Sequence, residues 1–300
     1  MSNKLIDFFI IGVQKAATSS LAENLSRSGD VYMPAKEKNF FLSASLFATE
    51  LHKFQTEVAN HAQHRKIGIK CPDYLSSPET AMRIYAHNQD AKLIVIYRPP
   101  IERFVSAALW YMQIGLIPVM DLNQLVLNIE TGDVNAATQQ LVSYGMYHQA
   151  LQEYVRLFGD QALLIVSQRD LWSSPAETMD KVARFLGISM PANNDHKQAT
   201  IYKKGAIYST FRLRFLAFLN RHFFYKFEKE EGELFSRLRP LPWQFFYYAG
   251  KAIDTFLFAP MDKAKKPLLS EQSKSFLSQA YASDYRKFTE YIGNKGTLHE

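Results

Sequence analysis

The chain has 300 residues, 47% of them hydrophobic and 21% charged, a globular composition that excludes disorder as the default state. Its one cysteine, Cys71, excludes an internal disulfide, so a cytoplasmic location is expected. The net charge of +6 suits an anionic ligand or an acidic membrane surface. With no zinc-finger spacing, RNA-binding aromatic signature or polybasic block, no nucleic-acid partner is expected.

Strands and helices alternate through the first two-thirds, the pattern of an α/β domain with a central parallel β-sheet flanked by helices. The first strand is Asp7 to Val13, an apolar run too short to span a membrane. A helix follows from about Thr18, with Leu21 and Leu25 on one face and Gly29 closing it. Val31 to Met33 reads as a short strand entering the polar loop Lys36-Glu37-Lys38-Asn39. Phe47, Leu51 and Phe54 suggest a surface helix. Lys66 to Lys70 is a strand ending at Cys71-Pro72, and Ser77-Pro78 places a cap and a first-turn proline at the head of a helix through Tyr85.

The strongest buried-strand signal is Lys92 to Tyr97, halted by Arg98-Pro99-Pro100 and followed by a helix from about Ile101 to Met112. Leu151, Tyr154, Val155 and Phe158 recur at helical spacing, and Ala162 to Val166 is another continuous apolar strand. Ser174 and Glu177 have capping-box spacing before a helix that runs to Leu186 and stops at Gly187. Beyond Gly187, residues 205–260 are rich in aromatic and basic side chains at mainly helical spacing, and Phe276 to Ile292 fits a terminal helix. The expected organisation is a single domain over residues 1–300, with a helical, aromatic-rich extension at about 205–300.

Three junctions carry candidate chemistry. In Gly12-Val-Gln-Lys15-Ala16-Ala17-Thr18-Ser19-Ser20, between a strand and a helix, an anion would meet free backbone N–H groups, the helix dipole, a lysine and hydroxyls. The nucleotide-triphosphate loop ends in Gly-Lys-Ser/Thr; here the lysine comes early and two alanines follow it. A residue with φ > 0 at either alanine would be strained. At the second junction, Arg98 at a strand end and Ser106, eight residues later, offer a guanidinium fork and a hydroxyl to an anion. The third is the polar loop carrying Glu37.

Taken together, FFIIGVQKAATSSL, KEKNFF, GIKCPDY and KLIVIYRPPIERFVSAALW resemble motifs of the sulfotransferases that use 3′-phosphoadenosine 5′-phosphosulfate, particularly bacterial and heparan-sulfate-type members. The resemblance implies the sulfotransferase fold, related to that of P-loop kinases. It implies that Lys15 contacts the bridging oxygen and 5′-phosphate, with Ala16, Ala17, Thr18, Ser19 and Ser20 completing the phosphosulfate loop. Arg98 and Ser106 map onto the 3′-phosphate contacts, Glu37 onto the catalytic base, and Lys70 onto a lysine near the sulfuryl group. Lys204 and Gly205, in Tyr202-Lys203-Lys204-Gly205, map onto a donor-binding loop. Position 16 or 17 is more often glycine in the family, and Pro99 stands where aspartate is common.

The reaction so implied moves the sulfuryl group to an acceptor hydroxyl of a carbohydrate or glycolipid and needs no metal; small-molecule and lipid acceptors stay open. Two alternatives are a nucleotide or small-molecule kinase of related fold and a non-catalytic anion- or membrane-binding module. His61 and His64 lack a third ligand with metal spacing and read as a surface pair. Cys71 lacks a partner histidine and reads as structural. The aromatic and basic stretch at 211–229 admits peripheral membrane contact. Nothing in the sequence indicates an oligomeric state.

Overall fold

The computed structural model describes residues 6–61, 64–190, 206–230 and 233–296. In chain order the elements are β1 (Phe8–Gly12), α1 (Thr18–Leu25), β2 (Val31–Tyr32), α2 (Ala44–Ala59), β3 (Lys66–Lys70), α3 (Pro78–His87), β4 (Lys92–Tyr97), α4 (Pro100–Ile114), α5 (Leu122–Glu130), α6 (Ala136–Ser143), α7 (Tyr147–Phe158), β5 (Leu163–Ser167), α8 (Gln168–Ser173) and α9 (Pro175–Leu186). The remainder holds α10 (Thr210–Leu219), β6 (Tyr225–Glu230), β7 (Glu233–Leu238), α11 (Leu241–Ile253), α12 (Ala259–Met261) and α13 (Glu271–Gly296). The chain divides into two compact units. One holds residues 1–99, 146–203 and 284–300; the other holds 100–145 and 204–283.

The first unit contains a five-stranded sheet in the order β2-β3-β1-β4-β5, with every pairing parallel. Parallel strands buried on both faces are continuous apolar runs, and β1 is buried at all five positions. Its alternate residues serve opposite faces. Phe8 and Ile10 pack with Leu21 and Leu25 of α1 and Val182 and Leu186 of α9. Phe9, on the other face, meets Phe41 edge to face with ring centroids 5.3 Å apart. Truncating a leucine in this core to alanine would cost about 2–5 kcal/mol. Gly68 of β3 is required by packing, since a Cβ there would lie 2.1 Å from the Phe8 ring.

Local capping agrees with the expected signals at some helix ends and departs at others. Ser77 accepts from the Thr80 N–H at the head of α3, and Gly187 ends α9 in the left-handed region with φ 65°. The expected capping box at Ser174 is not formed, because its side chain caps no N–H group. Helix α1 ends at Leu25 with Ser26 as its cap rather than at Gly29. The Ser26 hydroxyl donates to the Glu23 carbonyl, satisfying one of the last carbonyls of the helix before the glycine is reached.

The second unit packs α10 against α4. Its region 205–260 is not helical throughout: Tyr225–Glu230 and Glu233–Leu238 pair antiparallel as a hairpin. The alternating apolar residues Tyr225 and Phe227 fit a strand as well as a short helical turn, so tertiary pairing decides between them. After α11 the chain continues through a π-helical turn, Asp254–Phe258, into α12.

Candidate active site

In the first unit β3, β1 and β4 are neighbours, so the loops after their carboxyl ends lie side by side. Lys70 is the last residue of β3, and Lys15 and Arg98 lie just past the ends of β1 and β4. Hydrogen bonding continues past the strand ends: the Val13 N–H donates to the Ile96 carbonyl at 2.7 Å, and the Cys71 N–H to the Ile10 carbonyl at 3.1 Å. The carboxyl ends of strands in an open α/β sheet are where ligands bind.

The turn from β1 into α1 adopts an unusual backbone. Lys15 has φ 69° and Ala17 has φ 71°, a left-handed conformation that costs a residue with a Cβ roughly 1–2 kcal/mol. Ala16 between them is fully buried. Strain of this kind collects at ligand sites, where surrounding structure holds it. Ala17 is also the N-cap of α1, where it supplies no capping side chain, and the first turn of the helix carries no acidic residue. The cap residue therefore brings no carboxylate or hydroxyl of its own to the positive end of the α1 dipole, which suits an incoming phosphate.

Lys70 joins three segments. Its side chain is buried, with 8% of the residue exposed. The Nζ donates to the Ser19 hydroxyl at 2.8 Å and pairs with Glu37 Oε1 at 3.2 Å. Glu37 is about half exposed, so one end of this chain of contacts opens to solvent. The Glu37 loop is held to β3 by the Lys38 N–H, which donates to the Lys70 carbonyl at 3.2 Å, and by the Tyr74 hydroxyl, which donates to the Lys38 carbonyl. Lys38 itself turns to Glu57 at 2.7 Å. The same carboxylate accepts from the Tyr32 hydroxyl at 2.6 Å, so Lys38 is engaged with Glu57 while Lys70 pairs with Glu37.

Several supporting residues carried no signal in the sequence. Gln14 is buried, donates to Asp73 Oδ1 at 3.0 Å, and keeps its Oε1 buried without a hydrogen-bond partner. Gln168, first residue of α8, reaches the Lys15 carbonyl at 3.5 Å. Tyr147 donates its hydroxyl to the Arg98 carbonyl at 2.8 Å, which fixes the loop after β4. The Gln168 and Tyr147 contacts join residues 153 and 49 positions apart, so no local pattern could reveal them. Gln14 alone sits inside a motif that the sequence singles out.

Among the remaining predicted residues, Thr18 and Ser20 are buried, and Ser19 and Ser106 are at least partly accessible. Arg98 belongs to the first unit and Ser106, on α4, to the second. Lys204 and Gly205 lie outside the described residues. Burial, with the carboxylates of Asp73 and Glu37 nearby, pushes the Cys71 thiol well above its ordinary pKa. A thiol so held is a poor nucleophile at neutral pH, in keeping with a structural cysteine. His61 stacks on Tyr32 with centroids 3.8 Å apart. Among the described residues no cluster of three or more His, Cys, Asp or Glu could hold a metal ion.

Comparison with known proteins bears on the whole arrangement. The chain is 27% identical over 196 residues to human heparan sulfate glucosamine 3-O-sulfotransferase 3B1, covering 65% of this chain and 49% of that protein. It is 29% identical over 188 residues to human heparan sulfate glucosamine 3-O-sulfotransferase 6, covering 62% and 54%. The chain thus spans about half the length of these curated relatives. The crystal structure of a sulfotransferase from Alicyclobacillus acidocaldarius shares the fold, with a TM-score of 0.54 at 22% identity over 65% of this chain and 89% of that one. The family model described as "Sulfotransferase domain" matches residues 5–212, which takes in the β1–α1 turn, the Glu37 loop, the end of β3 and the Arg98 junction, and the chain belongs to that family.

Proposed function

We propose that the protein transfers a sulfuryl group from 3′-phosphoadenosine 5′-phosphosulfate to a hydroxyl of a carbohydrate or glycolipid acceptor. The observation that carries this reading is the contact chain Ser19–Lys70–Glu37. It places a buried cation between a phosphate-type turn and a solvent-facing carboxylate. Family membership supports the donor, and the heparan sulfate relatives support a sugar acceptor.

The residues fit the donor. The α1 N-terminus, with no capping side chain, and the hydroxyls of Thr18, Ser19 and Ser20 would hold the 5′-phosphosulfate. Lys15 would lie against the bridging oxygen, and Arg98 would take the 3′-phosphate. Sulfuryl transfer, like phosphoryl transfer, depends on alignment and on stabilising spread negative charge. The acceptor oxygen forms a bond to sulfur while the bond from sulfur to the 5′-phosphate oxygen breaks, and 3′,5′-adenosine bisphosphate leaves with that electron pair. Glu37 takes the acceptor proton. Lys70 orients the Glu37 carboxylate and, through its ammonium, offsets charge on the sulfuryl oxygens. Lys15 stabilises the leaving oxygen.

Incubation with radiolabelled donor and a panel of carbohydrate and glycolipid acceptors tests this, alongside a parallel incubation with labelled ATP and magnesium. Label moving from the sulfate donor to an acceptor is the expected result. Transfer from ATP alone would overturn the reading. Calorimetric binding of 3′,5′-adenosine bisphosphate with no turnover on any acceptor would identify a binding module instead.

A further inference from the structure

The second unit carries an inverted helix. From Leu241 to Met261 the side chains turned inward recur at Gln244, Tyr247, Lys251, Asp254 and Phe258, with Gly250 beside them, while most of the others are exposed. Spacings of three and four mark that stripe as one helical face. It is the polar face. The only charges in the segment, Lys251 and Asp254, both lie on it, 3.9 Å apart.

Asp254 is held on its far side by Arg212, whose Nε and Nη2 donate to its two oxygens at 2.9 and 3.1 Å. Arg212 also donates through Nη1 to Asp262 at 2.6 Å. The outward face consists instead of Phe245, Phe246, Tyr248, Phe256, Leu257 and Met261, with Phe245 70% and Phe256 78% exposed. An ordinary surface helix does the reverse.

The patch is not confined to that helix. Among the described residues, every exposed large apolar side chain except Met82, Leu127 and Trp172 falls between Phe211 and Leu268. Exposed apolar side chains concentrated in this way mark an interaction site rather than ordinary surface variation.

Charge identifies the occupant. Residues 206–268 hold eleven Lys and Arg against six Asp and Glu, and exposed cations flank the apolar face: Arg237, paired with Glu228 at 3.0 Å, before it, and Lys263, Lys265 and Lys266 after it. An apolar face rimmed by cations, carrying Trp243 and Tyr248 among its exposed aromatics, matches a bilayer surface. Rings enter the acyl boundary there while lysine and arginine reach anionic headgroups. A second copy of the chain would bring the same cations to the interface. No helix among the described residues is long and apolar enough to cross a membrane, which leaves attachment in the plane of the interface.

We infer that α11, the following π-helical turn and α12 form a docking surface for an anionic lipid bilayer. This inference stands apart from the sulfotransferase chemistry and does not depend on it.

The test is co-sedimentation of the full chain with vesicles of phosphatidylcholine alone or mixed with phosphatidylglycerol, at two salt concentrations, together with sedimentation velocity without lipid. The chain should sediment with the anionic vesicles, roughly tenfold more weakly with neutral vesicles or at high salt. The double variant Phe245→Glu with Phe256→Glu should lose vesicle binding by roughly tenfold or more while keeping the parent's unfolding midpoint, because both side chains are exposed. Replacing Lys263, Lys265 and Lys266 by alanine should remove the preference for anionic vesicles and preserve folding.

Failure of the parent to sediment with anionic vesicles would overturn the inference, as would equal binding by the double variant. A lipid-free dimer that the double variant dissociates, without vesicle binding by the parent, would assign the face to a second copy instead.

Discussion

The two units treat charge and apolar surface in opposite ways. The first hides its aromatic and aliphatic residues in a parallel sheet and keeps a buried lysine, Lys70, where strand ends meet a solvent-facing carboxylate. The second buries Arg103 and the Arg212–Asp254 pair and leaves phenylalanines outside. A buried charge is costly unless paired, so each unit shows what its buried charge is for. In the first, under the proposed function, the charge serves the transfer. In the second it anchors a helix that exposes its apolar face.

The contrast can be broken most forcefully at the site. Glu37→Gln should lower transfer by roughly 10²–10⁴-fold and spare binding of 3′,5′-adenosine bisphosphate, which turnover and calorimetry together would show. Turnover equal to the parent's would remove Glu37 as the base. Lys70→Met should lower turnover by about 10²–10³-fold if its cation acts on developing charge; a change in donor affinity alone would confine it to binding.

In the second unit, Arg212→Met removes the close partner of two carboxylates, one of them deeply buried, and should cost about 3–5 kcal/mol in unfolding free energy. A loss below 1 kcal/mol by chemical denaturation would show that the pair does not anchor the helix.

A pH effect belongs to the first unit. His87 accepts a hydrogen bond from the Ile6 N–H at 3.0 Å, and burial lowers its pKa from 6.5 to about 4. The unfolded chain then binds a proton between those values that the folded chain refuses. The stabilisation from neutral His87 is therefore complete above pH 6.5 and is lost as pH falls toward 4, by on the order of 3 kcal/mol. His87→Gln keeps an acceptor for Ile6 and should flatten the unfolding midpoint between pH 6.5 and 4. An unchanged slope would assign the acid sensitivity to other groups.

The smallest effect is expected at the turn. Ala17→Gly relieves a left-handed alanine at φ 71° and should raise stability by about 1 kcal/mol or less, since glycine also loses more backbone freedom on folding. A destabilised variant would mean that the turn does not hold the alanine under strain.

All five strands of the central sheet were legible, β1, β4 and β5 as apolar runs, and the strand-to-helix junctions after β1 and β4 as breaks in periodicity with polar residues. These are local properties, set by side-chain type and near-neighbour sterics. Lys15, Ser19 and Arg98 could be singled out for the same reason, through short motifs and their spacing, whereas Glu37 and Lys70 stood out through resemblance to a family. The hairpin β6–β7 could not be, since its aromatic residues satisfy either period until a partner strand is present.

The sequence by itself determined the elements of the first unit, the cationic and hydroxyl-bearing turns that suit an anion, and the family to which they point. Only the tertiary structure decided that β3, β1 and β4 are neighbours and that Lys70 reaches both Ser19 and Glu37. It also decided that the aromatic helix of the second unit faces outward. Periodicity shows that a helix has two faces; packing decides which one is buried, and here the Arg212–Asp254 pair turns the polar face inward.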